Sequence, residues 1–435
     1  MNEEILRHPA ATRRSLLSRG AVGLGAVGVG LIAAEGTSGA QVSEPWVRRD
    51  RMPANVKDYG AQGNGSTDDS AAFTAALTAA DGGTVFVPRG TYKIGDVSFT
   101  SHNQSIVGEG LGTYLVAKSG ASYVLKMDGR TGCSVRSLAI DGNSKASAGI
   151  RIRGLNLTGG GGGSTSQLNS LDRVLLSQCS TGLVVDGADA ASQVDKNSYH
   201  HCELQDNTVG AWLNSSNAQA QLFEHCDFSR NGKGIRLTGG SLAMISCQFQ
   251  HSTPPSTGTG IEIDGSNVEW VHLIDVIFEG PTLDINGLDW PRDGVHLKGC
   301  ALQGTDKNVY MGPANSHLHA EQTRFNDWPT QGGGEIRMAG SNCAFHQIDC
   351  NFGEPTLVIT GANGRVIKLN RDGIELTNGY VRANQGITPM VRSAQPAVSD
   401  GDFLATPPDG TIAVTTQNNK LWVRSGGAWK SVTLA

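Results

Sequence analysis

The feature that most constrains this chain is a short phrase that keeps returning across residues 171–352. Its clearest copies read Cys202-Glu203-Leu204, followed by Asn207 and Gly210, and Cys226-Asp227-Phe228, followed by Asn231, Gly234, Ile235 and Leu237. Weaker copies centre on Leu138, Val174, Cys247, Val276, Cys300, Thr323 and Cys350; from Val174 onward the centres lie 28, 24, 21, 29, 24, 23 and 27 residues apart. A period of this size marks a solenoid, in which each unit buries its apolar side only by stacking on the next. Inside each copy the apolar residues alternate with period two, as strands do and helices do not. Two places after each centre stand Leu176, Leu204, Phe228, Phe249, Phe278, Leu302, Phe325 and Phe352, a predicted internal ladder of stacked side chains. Each coil then holds three short strands, for example residues 234–237, 242–244 and 246–249, joined by turns rich in Asn and Gly. The expected fold is all-β, a right-handed parallel β-helix.

Composition agrees: the chain has 58 Gly and only 17% charged residues, where a compact α/β enzyme would carry more helix formers. A net charge of −5 argues against nucleic acid as the main partner, while leaving room for an acidic polysaccharide along a locally basic groove. Of the eight cysteines, Cys202, Cys226, Cys247, Cys300 and Cys350 share the inward position of different coils. A free, buried ladder is expected there, since a small hydrophobe fits the position. No C-x-x-C or paired Cys/His spacing points to a metal, and no cofactor is expected.

At the N-terminus, Thr12-Arg13-Arg14-Ser15-Leu16-Leu17 resembles the twin-arginine export motif. The Gly-diluted apolar run at residues 21–34 is too short to remain as a membrane span, and Ser38-Gly39-Ala40 offers small residues for cleavage. Residues 1–40 are therefore expected to be a signal peptide, residues 41–54 a linker, and the mature chain secreted or periplasmic, with no membrane contact.

Residues 55–97 carry the most specific likeness to a known family. Val56-Lys57-Asp58-Tyr59-Gly60-Ala61, Gly63-Asn64-Gly65-Ser66-Thr67-Asp68-Asp69, Gly82-Gly83-Thr84-Val85-Phe86-Val87-Pro88 and Gly90-Thr91-Tyr92 resemble the opening of the pectate-lyase-like superfamily. The resemblance is to its rhamnogalacturonase/epimerase and phage-tailspike branch. Physically this stretch reads as an end cap. Ser66 with Asp69 forms a capping-box pattern, and a helix over residues 68–80 stops at Gly82-Gly83. Asp68 and Asp69 are better taken as helix-start carboxylates than as a catalytic pair.

Chemistry must sit on outward positions. If Cys202 and Cys226 point in, then His201, Glu203, His225 and Asp227 point out, with Glu203 and Asp227 in one column on adjacent rungs. Two carboxylates about 4.8 Å apart along a sheet push one pKa up, as glycoside hydrolysis requires. His201 and His225 flank the pair and could tune it or act as a base. Trp212 could stack on a sugar ring and Arg236 could bind a uronate carboxylate. The competing reading is that outward columns of solenoids fill with stacked polar residues of no catalytic role. His200 and Glu224 lie beside the pair with their direction left open by parity. A second column, His272, His296, His319 and His346, reads as a surface ladder that like charges below neutral pH would loosen.

The coil is expected over residues 55–352. The pattern around Gly373-Ile374-Glu375-Leu376 resembles the intertwined segments below tailspike coils, giving a trimerising segment over 353–395. Residues 396–435 are expected to form a small terminal β meander, with Trp422 and Trp429 as packing residues, and association into a homotrimer follows from the same resemblance. The motifs of polygalacturonases and mannuronan epimerases are absent, so the resemblance implies fold and glycan substrate class, not a reaction. The expected function is cleavage of an acidic or uronate-containing polysaccharide, with hydrolysis ahead of lyase elimination because a carboxylate pair is readable and a lyase base is not. The alternative is a non-catalytic glycan-binding, adhesive or structural tailspike-like protein.

Overall fold

A computed structural model describes residues 53–155, 165–250, 258–326, 335–352, 356–370, 373–377, 390–392, 412–415 and 420–433. The expected signal peptide, the glycine run near residue 160 and the stretch 396–408 lie outside the described residues.

Three parallel sheets run the length of a β-helix. The first climbs from Ala54–Asn55 through Ser198–His200 and Gln221–Glu224 to Arg365–Asn370. The second includes Glu203–Gln205, Asp227–Ser229, Gln248–Gln250 and Ile277–Glu279. The third passes from Tyr123–Asp128 through Ala148–Gly154, Thr181–Gly187 and Val209–Asn214 to Thr356–Ile359. Parallel pairing therefore continues past Phe352, where the sequence pattern ends, because strand-forming residues around Leu357 and Val366 still find a rung to pair with. Beyond it Gly373–Thr377 folds back antiparallel on the last rung. A separate small sheet joins Met390–Arg392, Ile412–Thr415, Lys420–Ser425 and Ala428–Thr433, the last three as the expected antiparallel meander. Trp422 and Trp429 are half-buried in it.

The predicted ladder is the core. Leu176, Leu204, Phe228, Phe249, Phe278, Leu302 and Phe325 are all buried. The Phe228 and Phe249 rings stack with centroids 4.9 Å apart, and Phe249 and Phe278 at 4.6 Å. This packing explains the glycine of the phrase at 210, 234 and 260 better than backbone freedom does. A Cβ at Gly260 would lie 2.6 Å from both the Phe278 ring and the Asp284 carbonyl. Cys202, Cys226, Cys247 and Cys300 are buried and free, each Sγ turned to a backbone carbonyl of its own or the preceding rung.

Two devices turn the chain between sheets. The first is a single left-handed residue between the first and second sheets: Arg173, His201, His225, Ser246, Asp275, Gln322 and Asp349 have φ between 48° and 53°. Asp and His tolerate that region better than most side chains. The second is buried asparagine at the turn after the second sheet. Asn207 Oδ1 accepts from Cys179 N–H at 2.9 Å, its Nδ2 donates to the Leu176 carbonyl at 3.0 Å, and its own N–H donates to Asn231 Oδ1 at 3.0 Å. Each side chain thus satisfies backbone groups that the turn would leave unpaired.

At the N-terminal end, helix α1 (Ser70–Ala80) buries Phe73, Ala76 and Leu77, and Phe73 meets Tyr92 edge-on at 5.5 Å. The expected capping box does not form. Asp69 occupies the N-cap position without a side-chain cap bond, because its carboxylate accepts instead from Gln62 N–H (2.6 Å) and Gly63 N–H (3.0 Å). Asp68 takes over, accepting from Ser70 N–H at 3.0 Å. Hydrogen bonds from Ser70 hold its pKa down at about 2, with Lys118 at 3.0 Å adding to them. Both residues serve the cap.

Candidate functional site

Glu203 and Asp227 are register partners on adjacent strands of the second sheet, both half-buried. Two residues earlier, on the left-handed bend, the His201 and His225 rings stack at 5.3 Å with an 8° interplanar angle. The four residues singled out in the sequence therefore form one patch over two rungs. Burial pushes Asp227 up to about 6, the Glu203 charge adds to this, and Arg230 opposes it. Asp227 Oδ1 is buried without a hydrogen-bond partner. Arg230 itself is held by Asp206, with Nε and Nη2 each 2.8 Å from a carboxylate oxygen, and by Gln205 at 2.7 Å.

The first sheet borders this patch with a second polar set. His200 and Glu224 both turn outward, Nδ1 to Oε2 at 3.0 Å, which resolves the direction that parity left open. His201 Nδ1 lies 3.6 Å from Asp172, and His225 Nδ1 lies 3.9 Å from Glu224.

Trp212 and Arg236 are register partners too, but on the third sheet, so the expected sugar-binding pair does not stand beside the carboxylates. Arg236 is already engaged: its Nε and Nη2 reach Asp264 Oδ2 at 3.0 and 2.6 Å, and its guanidinium sits 5.1 Å from the Trp212 ring. The Trp212 indole N–H donates to Thr238 at 3.0 Å. Reading each coil separately cannot anticipate this, since the partner Asp264 lies a full coil away.

The sequence reading missed a second candidate, the outward face of the third sheet. One column runs Lys126, Arg151, Val184, Trp212, Arg236, Glu262, Asn286, Tyr310 and Arg337. Its neighbour holds Asp128, Arg153, Asp186 and Asn214. Most of these charges are paired: Arg151 with Asp128, Lys233 with Glu262 and Arg236 with Asp264. Arg153 and Asp186 form a looser pair, Nε to Oδ1 at 4.0 Å, with both of these atoms buried and without a hydrogen bond. Burial raises the Asp186 pKa against the pull of Arg153 and Arg151. A half-buried ion pair without a hydrogen bond to hold it is costly, and groups with perturbed pKa values concentrate at functional positions. The available signal was the middle residue of each Gly-x-Ile-x-Leu phrase, read down the repeats instead of along them. Among the described residues no group of three or more His, Cys, Asp or Glu is arranged to hold a metal ion.

A profile of the family described as rhamnogalacturonase A/epimerase, pectate lyase-like matches residues 54–282, more than half of the chain. The chain belongs to this family. Within it, the curated relatives match only in part. Alginate lyase 7 of Azotobacter vinelandii is 43% identical over 75 residues, covering 15% of this chain and 9% of that protein. Mannuronan C5-epimerase AlgE4 of the same organism is 29% identical over 111 residues, or 25% and 20% of the two chains. The chain thus spans a small part of the length of these relatives. Among solved structures, the AlgE4 A-module has a TM-score of 0.49 at 16% identity, covering 72% of this family member and 96% of that chain. Tailspike protein 3 of bacteriophage CBA120 has a TM-score of 0.49 at 13% identity, covering 87% and 69%.

Proposed function

We propose that this family member is a polysaccharide-active enzyme that hydrolyses an acidic glycan, with Asp227 as the proton donor and Glu203 as its partner carboxylate. The observation that carries this reading is the half-buried Asp227, raised to about 6 beside Glu203 on the adjacent rung. In that role the Asp227 carboxyl donates its proton to the glycosidic oxygen as the C–O bond breaks. Glu203 then serves the other face of the sugar, as nucleophile or as base for water. The relatives named as an alginate lyase and an epimerase of mannuronan support the glycan substrate class.

A second reading is favoured by Arg153 and Asp186. The part-exposed Arg153 guanidinium could neutralise a uronate carboxylate while the raised Asp186, a stronger base, removes the adjacent proton, the C–O bond breaks to leave a double bond, and the leaving oxygen takes a proton from water. Incubation of the mature chain with a panel of acidic glycans separates the two. New reducing ends without ultraviolet absorbance, lost in Asp227→Asn, support hydrolysis. Absorbing unsaturated ends, lost in Asp186→Asn and kept in Asp227→Asn, would move the chemistry to the third sheet. Saturable binding without cleavage would mean a glycan-binding protein.

The proposal includes export of the folded chain and assembly as a trimer, motivated by the Arg13-Arg14 motif and by the resemblance of the C-terminal segments to tailspikes. Arg13→Lys with Arg14→Lys is expected to hold the precursor in the cytoplasm on fractionation. Sedimentation of the mature chain at a monomer mass would remove the trimer.

A further inference from the structure

We propose that the imidazole-lined groove on the first sheet is a second glycan site, which takes an oligouronate along the helix axis and binds it more tightly as pH falls. The inference rests on the acidic-glycan reading above but uses none of the residues assigned there to catalysis.

His272, His296, His319 and His346 are successive register partners on four strands of the first sheet. Their ring centroids are 4.8, 4.6 and 4.6 Å apart, alternating edge-on and stacked, and Trp270 closes one end of the row at 4.7 Å from His272. Together with Ile274, Lys298, Glu321 and Ile348 they line a groove of about 450 Å³. That volume suits a small-molecule ligand, for which sites run from roughly 300 to 1,000 Å³. Of the four, His296 Nε2 lies 3.1 Å from the Asp293 carbonyl, and among the described residues no hydrogen bond reaches a ring nitrogen of His272, His319 or His346. The others have ring nitrogens left for a ligand.

The repeat of the row selects the ligand. One identical group per rung, over three steps of about 4.8 Å, is matched best by a polymer that repeats along the same axis. The rings follow one another one per rung and do not converge on a point, so they do not form a metal cage. An imidazolium donates from both nitrogens and is cationic, so a row of carboxylates is the complement of the protonated row.

The surrounding charges agree. Lys298 and Glu321, paired at 3.2 Å, line the groove, while Asp293 acts on His272, exposed His317 on His319 and His346, and exposed Arg365 on His346. Burial, followed by neighbouring positive charge, lowers His272, His319 and His346, with His319 at about 4. The empty row is thus held towards its neutral form. A bound carboxylate row supplies the missing counter-charge, so these histidines take up protons on binding. Affinity then rises as pH falls from the ordinary histidine value of 6.5 towards about 4.

The test titrates the mature chain carrying Asp227→Asn, to block turnover, with a tetrauronate and with a neutral tetrasaccharide of the same linkage. Calorimetry is run at about pH 7.5 and about pH 5, in buffers of different ionisation heat. The tetrauronate Kd is expected to fall by about tenfold per pH unit for each proton taken up, with a buffer-dependent heat, while the neutral sugar shows no such change. His272→Gln, His319→Gln and His346→Gln together should remove most of this dependence, and His319→Gln alone should lessen it, while both leave Tm and cleavage by the otherwise native chain unchanged. A pH-independent Kd, or a dependence that survives both variants, overturns the proposal. Cleavage without proton-linked binding sinks this groove and leaves the assigned activity standing. Proton-linked binding without cleavage supports the groove and removes the catalytic reading.

Discussion

Phe249→Ala is expected to cost the coil about 3–5 kcal/mol, as large aromatic truncations in packed cores do. Phe249 is fully buried and is the middle ring of three, stacked on Phe228 at 4.9 Å and on Phe278 at 4.6 Å. Removing it takes away the transfer free energy of the ring and leaves a void between two rings that cannot close up. Their positions are fixed by the rung spacing, not by side-chain choice. The void also lies where Gly234 was kept bare to admit the ring. Phe249→Leu keeps most of the volume and should cost under about 1.5 kcal/mol. Urea unfolding of both variants checks this. Because solenoids can open locally, hydrogen exchange at residues 227–229 and 277–279 is the companion measurement. A loss below about 1 kcal/mol for Phe249→Ala would mean that the stack can relax and is not the spine of the core.

Asp227→Asn should lower the turnover of any cleaved glycan by roughly 10²–10⁴, the usual share of a positioned proton donor, with little change in KM. Since the donor must be protonated, native activity should fall as pH rises through about 6, and the residual activity of Asp227→Asn should lack that limb. Stability moves the opposite way. Asp227 is raised in the folded state from its ordinary 3.8 to about 6, so it favours the fold below pH 3.8 and disfavours it increasingly as pH rises through about 6. Asn carries no such charge. Above pH 7 the variant should therefore be the more stable protein; solvent screening at this half-exposed carboxylate reduces the effect to on the order of 1 kcal/mol, with the difference vanishing near pH 4. Melting curves across that range check the sign. A variant that is inactive and also less stable at pH 8 would show that Asp227 is a structural residue.

The coil was legible because its information is local and repeated. The clearest phrases contain an inward Cys, an inward Leu or Phe and a turn Asn, and strand periodicity needs only neighbouring residues to be read. The same locality explains why Glu203 and Asp227 could be paired in advance: they hold identical places in two copies of one phrase. It also explains what the repeat could not give. Whether Arg236 is a free ligand depends on Asp264, which lies outside its own coil, and the cap of helix α1 depends on Gln62 and Gly63 claiming Asp69 first. Arg153 and Asp186 become conspicuous only once burial removes water from both. The strand type, the core and the order of the sheets followed from residue pattern alone, because side-chain period and turn chemistry act over a few residues. Which outward charges meet, which neutralise each other and which stay unpaired was decided by stacking one rung on another, since Coulomb forces and desolvation act between residues that only the folded coil brings together.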